Sequence, residues 1–195
     1  MTGERTVSQE MRLIRTAMIP MLLGIVFYIF AAKLGDSFGW LILFFAINGL
    51  ILYIPEHLAH ANKGAGQLGP LDSLLIGVFG GLSVLPGISR VGGSLSCAIA
   101  RGADHTKAYN WILILSIPAL ILLVVLDIIS IFIAGFGQVS LLGILGCFIS
   151  AIAAFAAAYS GIYFMRRLLS QSGITFFSFY CWGIALLSFF LYLFV

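Results

Sequence analysis

Long apolar blocks, separated by short stretches that hold most of the charged residues, dominate this chain of 195 residues. Apolar residues make up 62% of the sequence and charged residues 9%, which is too few charges to cover a soluble domain. In lipid, only helices and closed barrels satisfy their own backbone hydrogen bonds. Five blocks are long enough to cross a hydrocarbon layer of about 30 Å as helices. They are Leu13–Ala32, Gly39–Pro55, Tyr109–Ala134, Val139–Met165 and Ile174–Val195.

One apolar segment, residues 71–100, is interrupted near its middle by Pro86, Gly87 and Arg90. Proline and glycine break helices, and an arginine is costly within hydrocarbon. As a helix, the arm before the break (Asp72–Leu85) would be about 21 Å long, which is too short to cross a bilayer. The sequence therefore predicts an all-α integral membrane protein with about five transmembrane helices and a re-entrant helix hairpin. A polar N-terminus, residues 1–12, precedes a single membrane domain, residues 13–195.

The distribution of lysine and arginine distinguishes a hairpin that returns from one that crosses. Nine of these residues lie outside the broken tip. If the hairpin returns, eight of the nine fall on one face of the membrane and one on the other; if it crosses, the division is four to five. Because positive residues accumulate on the cytoplasmic side, the returning arrangement is favoured. It places the N-terminus in the cytoplasm and the C-terminus outside.

The tip of the hairpin has the composition of an anion site. A helix that begins there presents unpaired backbone N–H groups with partial positive charge, and glycines allow a ligand to approach them. Arginine adds a planar set of donors suited to phosphate. Irregular backbone at membrane depth also implies a surrounding cavity. The predicted phosphate-binding residues are Gly87, Arg90, Gly92, Gly93 and Ser94, with a further hydroxyl at Ser89.

Simpler interpretations exist for each polar group. For Arg90, the simpler interpretation is an arginine that only extends toward the headgroups or pairs with a carboxylate to hold two helices together. Asp127 is a candidate partner, although a headgroup-level position suits it better. His57 and His60 share a helix face and could bind a metal, but with Glu56 they fit a solvated helix end better. Asp104 fits a helix cap. The three isolated cysteines (Cys97, Cys147 and Cys181) fit packing roles, with no metal cluster predicted.

The run from Leu85 to Ser94 resembles the second signature of the undecaprenyl-diphosphate phosphatase family of the bacitracin-resistance type, Pro-Gly-x-Ser-Arg-Ser-Gly-x-Thr. The stretch Leu113–Ala119 and the approach helix from Asp72 also resemble that family. Val91 and Ser94 replace the last Ser and the Thr of the pattern. The resemblance is good from about residue 71 to 195 and looser from 12 to 55.

The resemblance implies an enzyme that hydrolyses undecaprenyl diphosphate to undecaprenyl phosphate and phosphate, recycling the lipid carrier for cell-wall sugars in a bacterial inner membrane. It assigns catalytic roles to Arg90, which holds the diphosphate, and to its neighbour Ser89. Family members contain two inverted repeats, and this chain resembles the second half only. The first-half signature, Glu-Gly-x-Thr-Glu-Phe-Leu-Pro followed by Ser-Ser-x-x-His, has no counterpart in the sequence.

Three functions remain open at this point. The first is a phosphatase, acting on a polyprenyl diphosphate as a homodimer or with a partner chain that supplies the other repeat. The second is a lipid-phosphate binding or transport protein without hydrolysis, because broken helices also form transporter sites. The third is an inactive truncated relative. A divalent cation could assist the hydrolysis, but no residue pattern assigns its ligands. The net charge of +3 gives no signal for nucleic-acid binding.

Overall fold

A computed structural model describes residues 2–26, 31, 37–58, 68–134, 141–171 and 173–194. These ranges contain helices and no strand, apart from an isolated bridge residue at Ala103, which confirms the predicted all-α class. The helices are α1 (Thr2–Val26), α2 (Phe38–Leu58), α3 (Pro70–Gly81), α4 (Arg90–Ala100), α5 (His105–Ala134), α6 (Leu141–Gln171) and α7 (Thr175–Phe194). A 3₁₀ turn, Leu82–Val84, follows α3.

Four helices, α2, α5, α6 and α7, are long and apolar enough to cross a membrane. They confirm four of the predicted blocks, although the predicted ends Val139 and Val195 lie outside the described residues. The first predicted span, Leu13–Ala32, is described only to residue 26 and at residue 31. Its helix, α1, begins at Thr2, within the segment predicted to be a polar N-terminus. The exact number of crossings stays a prediction.

The broken segment forms two short antiparallel helices, α3 and α4, whose far ends meet. Asp72 in the first turn of α3 and Arg101 at the C-cap of α4 form an ion pair with a distance of 2.5 Å between Oδ1 and Nε. Between these ends, the Ser94 hydroxyl donates to the Ile76 carbonyl oxygen at 3.1 Å. With 12 and 11 residues, each arm is about 16–18 Å long, roughly half of a bilayer's hydrocarbon thickness.

Helix α1 packs closely along α3 because small residues let the two backbones approach. A Cβ atom added at Gly77 would collide with the carbonyl oxygen of Ala17. One turn further along, a Cβ atom at Gly81 would lie 3.0 Å from the carbonyl oxygen of Pro20. The two helices therefore run in the same direction, with Gly77 level with Ala17 and Gly81 level with Pro20.

Helices α2 and α7 pack antiparallel and form a second wall beside the hairpin. Near one end, a carboxylate oxygen of Glu56 accepts a hydrogen bond from the backbone N–H of Ile174 at 2.8 Å. Further along, the Trp182 indole N–H donates to the Ala46 carbonyl oxygen at 3.2 Å. Asn48 stands at the midpoint of α2, ten residues from each end, and contacts the hairpin there.

Helix α6 packs against its own chain mainly near its C-terminal end. Leu169 is buried and Met165 is half-buried, whereas all side chains from Leu145 to Phe164 are exposed. Such a long apolar surface is suited to contact with hydrocarbon.

Charged groups collect at the base of the hairpin, defined here as the end holding Asp72, Arg101 and the start of α5. There Glu56 also accepts a hydrogen bond from His105 Nε2 at 2.9 Å, joining α2 to α5. Gly77 packs on Ala17, so the part of α1 before Ala17 lies toward the base. The end of α6 also lies there, because Ile174, which follows α6, binds Glu56. Further exposed cations on these segments are therefore on the same side. Among the side chains that the structure describes, the exposed cations are Arg12, Arg15, Arg101, Lys107, Arg166 and Arg167.

Candidate functional site

The tip of the hairpin, residues 85–90, is a tight turn followed directly by the first turn of α4. The Ile88 N–H donates to the Leu85 carbonyl oxygen at 3.1 Å, and Gly87 has a φ of +96°, which residues with a Cβ rarely adopt. Ser89 then caps α4, because its Oγ accepts a hydrogen bond from the Gly92 N–H at 3.0 Å. The Pro-Gly-x-Ser order therefore ends one arm and starts the other.

Asn48 joins the tip to the two packed helices α2 and α7. Its side-chain oxygen accepts a hydrogen bond from the Ser89 N–H at 3.1 Å. Its NH₂ group donates to the Cys181 sulfur at 3.2 Å. Since Asn48 is the midpoint of α2, the tip lies about 15 Å from either end of that helix.

A cavity of about 340 Å³ lies between the tip, α2 and α7. Ser89, Gly87 and Gly92 line it from the hairpin side, together with Asn48 and Cys181. The rest of its wall is mostly apolar and includes Phe45, Leu52, Ile88, Met165, Ile174 and Phe177. This shape suits a ligand with an apolar chain and a small polar end placed at the tip.

Arg90 turns away from this cavity toward the 3₁₀ turn of the hairpin. It is half-buried, and its Nε donates to the Ser83 hydroxyl at 3.0 Å. Arg90 takes part in neither of the two ion pairs within the described ranges, so the alternative that it pairs with a carboxylate is not observed there. Ser89 and Arg90 are adjacent in sequence, but only Ser89 faces the cavity.

Gly93 and Ser94, also predicted to bind phosphate, lie between the two arms of the hairpin. A Cβ atom at Gly93 would be 3.2 Å from the Phe79 carbonyl oxygen. Ser94 is 0% exposed, and its hydroxyl is bonded to Ile76. The contacts of both residues are those of close helix packing, and their phosphate-binding role stays a prediction.

The interpretation of Glu56 as part of a solvated helix end is wrong. Its carboxylate is largely shielded and binds both His105 and the Ile174 N–H. His57 is exposed, with its Nδ1 2.9 Å from the Tyr53 carbonyl oxygen. His60 lies outside the described residues, so the proposed His57–His60 pair is not seen. In the part of the chain that the structure describes, no group of three or more potential metal ligands occurs.

Two further expectations concern acidic residues. Asp104 caps α5 as predicted, because its Oδ1 accepts a hydrogen bond from the Lys107 N–H at 2.9 Å. Asp127 is exposed on α5 and forms no ion pair with Arg90.

Sequence reasoning did not select Asn48. A signal was present, because a single Asn between Ile47 and Gly49 interrupts an otherwise apolar span. Buried amides within lipid need partners, so such a residue indicates a contact with another element. Cys181, interpreted as a packing residue, is buried as expected and also supplies the acceptor for Asn48.

The fold and the tip define a class: a polytopic all-α membrane protein with a candidate anion site on a broken helix pair. The chain matches the model of the family described as bacitracin resistance protein BacA over residues 2–187. It belongs to this family.

Curated relatives share the name undecaprenyl-diphosphatase. A relative from Carboxydothermus hydrogenoformans is 33% identical over 83% of this chain and 61% of its own length. One from Halothermothrix orenii is 28% identical over 90% of this chain and 67% of its own length. The chain thus spans about two thirds of these two proteins. One from Methanothermobacter thermautotrophicus is 30% identical over 85% of this chain and 91% of its own length, so a relative of similar extent carries the same name.

Proposed function

We propose that this protein hydrolyses undecaprenyl diphosphate, releasing the terminal phosphate and leaving undecaprenyl phosphate. The observation that carries the proposal is the helix start at Ser89 and Arg90, held level with the middle of α2 beside a mostly apolar cavity. A substrate with a long apolar chain and a charged end needs both features in one place. The names of the relatives support the same substrate class.

The hairpin is proposed to be re-entrant, entering and leaving on one face of the membrane. Its arms are each about half a bilayer long, and their far ends meet in the Asp72–Arg101 ion pair. The exposed cations at that end support a cytoplasmic base and a cytoplasmic N-terminus. We place the protein in the bacterial inner membrane as a single membrane domain, residues 13–195, after the N-terminal segment 1–12.

The phosphate site is proposed at the first turn of α4. The Gly92 N–H donates to the Ser89 hydroxyl, and the Ser89 N–H donates to the Asn48 side chain. The two N–H groups between them, at Arg90 and Val91, have no acceptor within the helix. They add partial positive charge at the position where phosphate oxygens would approach. Gly87 and Gly92 keep this approach open on the cavity side.

Arg90 is proposed to hold the diphosphate from the opposite side of the α4 start. Its Nε is occupied by Ser83, and its other guanidinium nitrogens are free of any carboxylate within the described ranges. A guanidinium that becomes bidentate with phosphate stabilises the charge that moves to the leaving oxygen as the phosphoanhydride bond breaks. On the cavity side, Ser89 supplies a hydroxyl at the start of α4.

Hydrolysis also needs a group that activates water or receives a proton. Glu56 is the acidic side chain on α2, eight residues from Asn48 and therefore about 12 Å along the helix from the tip. This distance is too great for direct proton transfer. We propose that a second chain, as a homodimer partner or a different protein, or a divalent cation completes the chemistry.

The same observation favours a second candidate function, the binding or transport of a lipid phosphate without turnover. The described tip contains groups suited to an anion and no carboxylate or imidazole beside them. An inactive relative of the enzyme would have the same tip and would retain binding. Turnover and binding must therefore be measured separately.

The test is phosphate release from undecaprenyl diphosphate by the purified protein in detergent, with and without Mg²⁺ or Ca²⁺. Arg90→Ala is compared with Arg166→Ala, which removes an exposed cation at the hairpin base. We expect release by the wild type and by Arg166→Ala, and a loss of about a hundredfold or more for Arg90→Ala. Equal rates for wild type and Arg90→Ala would contradict the proposed site. Saturable binding that depends on Arg90, without release under any condition, would select the second function.

A further inference from the structure

We infer that Asn48 is a positioning residue for the tip and sets the orientation of Ser89 and of the first turn of α4. The inference deepens the proposed function and rests on it, since the group being positioned is the proposed phosphate site. Asn48 lies on α2, outside the hairpin, and is 41 residues away from Ser89 in the sequence.

The surroundings of Asn48 show that both the oxygen and the NH₂ group of its amide are hydrogen-bonded. The residue is 2% exposed and stands at the midpoint of a helix suited to cross the membrane. An amide at this depth without partners would be strongly unfavourable. Its oxygen accepts from the Ser89 N–H and its NH₂ group donates to the Cys181 sulfur, so both ends of the amide have a fixed direction.

The hydrogen bond between Asn48 and the Ser89 N–H affects the whole start of α4. Ser89 caps α4 through its Oγ, and its carbonyl oxygen accepts the first helical hydrogen bond, from the Gly93 N–H at 2.8 Å. Holding the Ser89 N–H in place therefore fixes the orientation of the Ser89 backbone, and with it the direction in which α4 begins. Within the described ranges, this is the only side-chain hydrogen bond that joins residues 85–92 to an element outside the hairpin.

The bond to Cys181 fixes Asn48 in turn. It ties the amide to α7, so α2, α7 and the tip meet at one point on the cavity wall. A tip held from this point keeps the N–H groups of Arg90 and Val91 at a constant angle to the cavity. Because reaction rates depend on alignment to within about 1 Å, a loose tip would slow turnover more than it weakens binding of the apolar chain.

Three variants test the inference in the phosphate-release assay. Asn48→Leu has similar volume and loses both hydrogen bonds, and Asn48→Gln retains the amide with one extra methylene beside a cavity that can accommodate it. Ser116→Ala is the control, because Ser116 is also buried in a spanning helix but bonds only to Ile112 of its own helix. We expect kcat to fall about ten- to a hundredfold in Asn48→Leu, with KM changed less than threefold. Asn48→Gln should recover most of kcat, and Ser116→Ala should match the wild type.

Amide hydrogen exchange gives a readout that does not depend on turnover. In Asn48→Leu, exchange in residues 85–93 should accelerate about tenfold, while α3 and the rest of α4 stay protected. If exchange there is unchanged, or if Asn48→Leu keeps at least half of the wild-type kcat, the inference is overturned. If the wild type releases no phosphate but exchange in residues 85–93 still accelerates in Asn48→Leu, the proposed hydrolysis is contradicted and the positioning role of Asn48 is supported.

Discussion

The base and the tip of the hairpin each contain an arginine, but among the described residues only the arginine at the base has a carboxylate partner. At the base, Arg101 pairs with Asp72, and Glu56 binds His105 and the Ile174 N–H. At the tip, Arg90 has the Ser83 hydroxyl and no ion pair within the described ranges. These contacts at the base hold helices together. The charge at the tip is in no ion pair within those ranges, which is why we propose it as the group that holds an anionic ligand.

Replacing each arginine in turn is the strongest test of whether the base and the tip differ in role. Arg90→Gln should lower phosphate release by about a hundredfold and leave the melting temperature nearly unchanged. Arg101→Gln should do the reverse: because Asp72 is left buried, it should cost about 1–2 kcal/mol of stability, while release per folded molecule stays within about threefold. Thermal unfolding and initial rates on the same preparations give both values. Similar losses of rate in the two variants would show that base and tip do not differ in role.

A change in the tip backbone tests whether the turn itself is required. Gly87→Ala places a Cβ at a φ of +96° and 3.2 Å from the Phe45 ring, which should cost about 1–2 kcal/mol and displace the turn. Gly183→Ala is the matched control, since no atom lies within 4 Å of its added Cβ. Denaturant-induced unfolding would measure the free energy of unfolding of both variants. A Gly87→Ala protein as stable as the Gly183→Ala protein would contradict the positive φ at the tip.

The smallest expected effect lies at the base. Glu56→Gln retains an acceptor for the Ile174 N–H but removes the charge that faces His105, so we expect a loss of about 0.5–1 kcal/mol and unchanged phosphate release. Glu56→Ala removes both interactions and should cost more. Melting curves of the two variants separate the contributions. If Glu56→Gln abolished release, Glu56 would belong to the chemistry and the base would not be purely structural.

Local sequence signals predicted the parts of this fold that depend on local physics. Apolar length located α2, α5, α6 and α7, and Pro86 with Gly87 located the break. The Asp104 cap follows from neighbouring residues for the same reason. These features need only the chemistry of a few consecutive residues.

The parts that were missed depend on residues far apart in the chain. The Asn48–Ser89 bond joins residues 41 positions apart, and Glu56 meets His105 and Ile174 at separations of 49 and 118. A sequence shows that a buried Asn needs a partner but does not name it. The direction of Arg90, away from the cavity that Ser89 faces, depends on a rotamer set by Ser83 across the turn.

Cysteine labelling from the two sides of the membrane tests the re-entrant hairpin most directly. Single cysteines replace Leu71 and Ala100, which are exposed at the two ends of the hairpin, after the three native cysteines are changed to alanine. In oriented vesicles, a membrane-impermeant maleimide should label both positions from the same side, the cytoplasmic face. Labelling of the two positions from opposite sides would show that the segment crosses the membrane and would contradict the account.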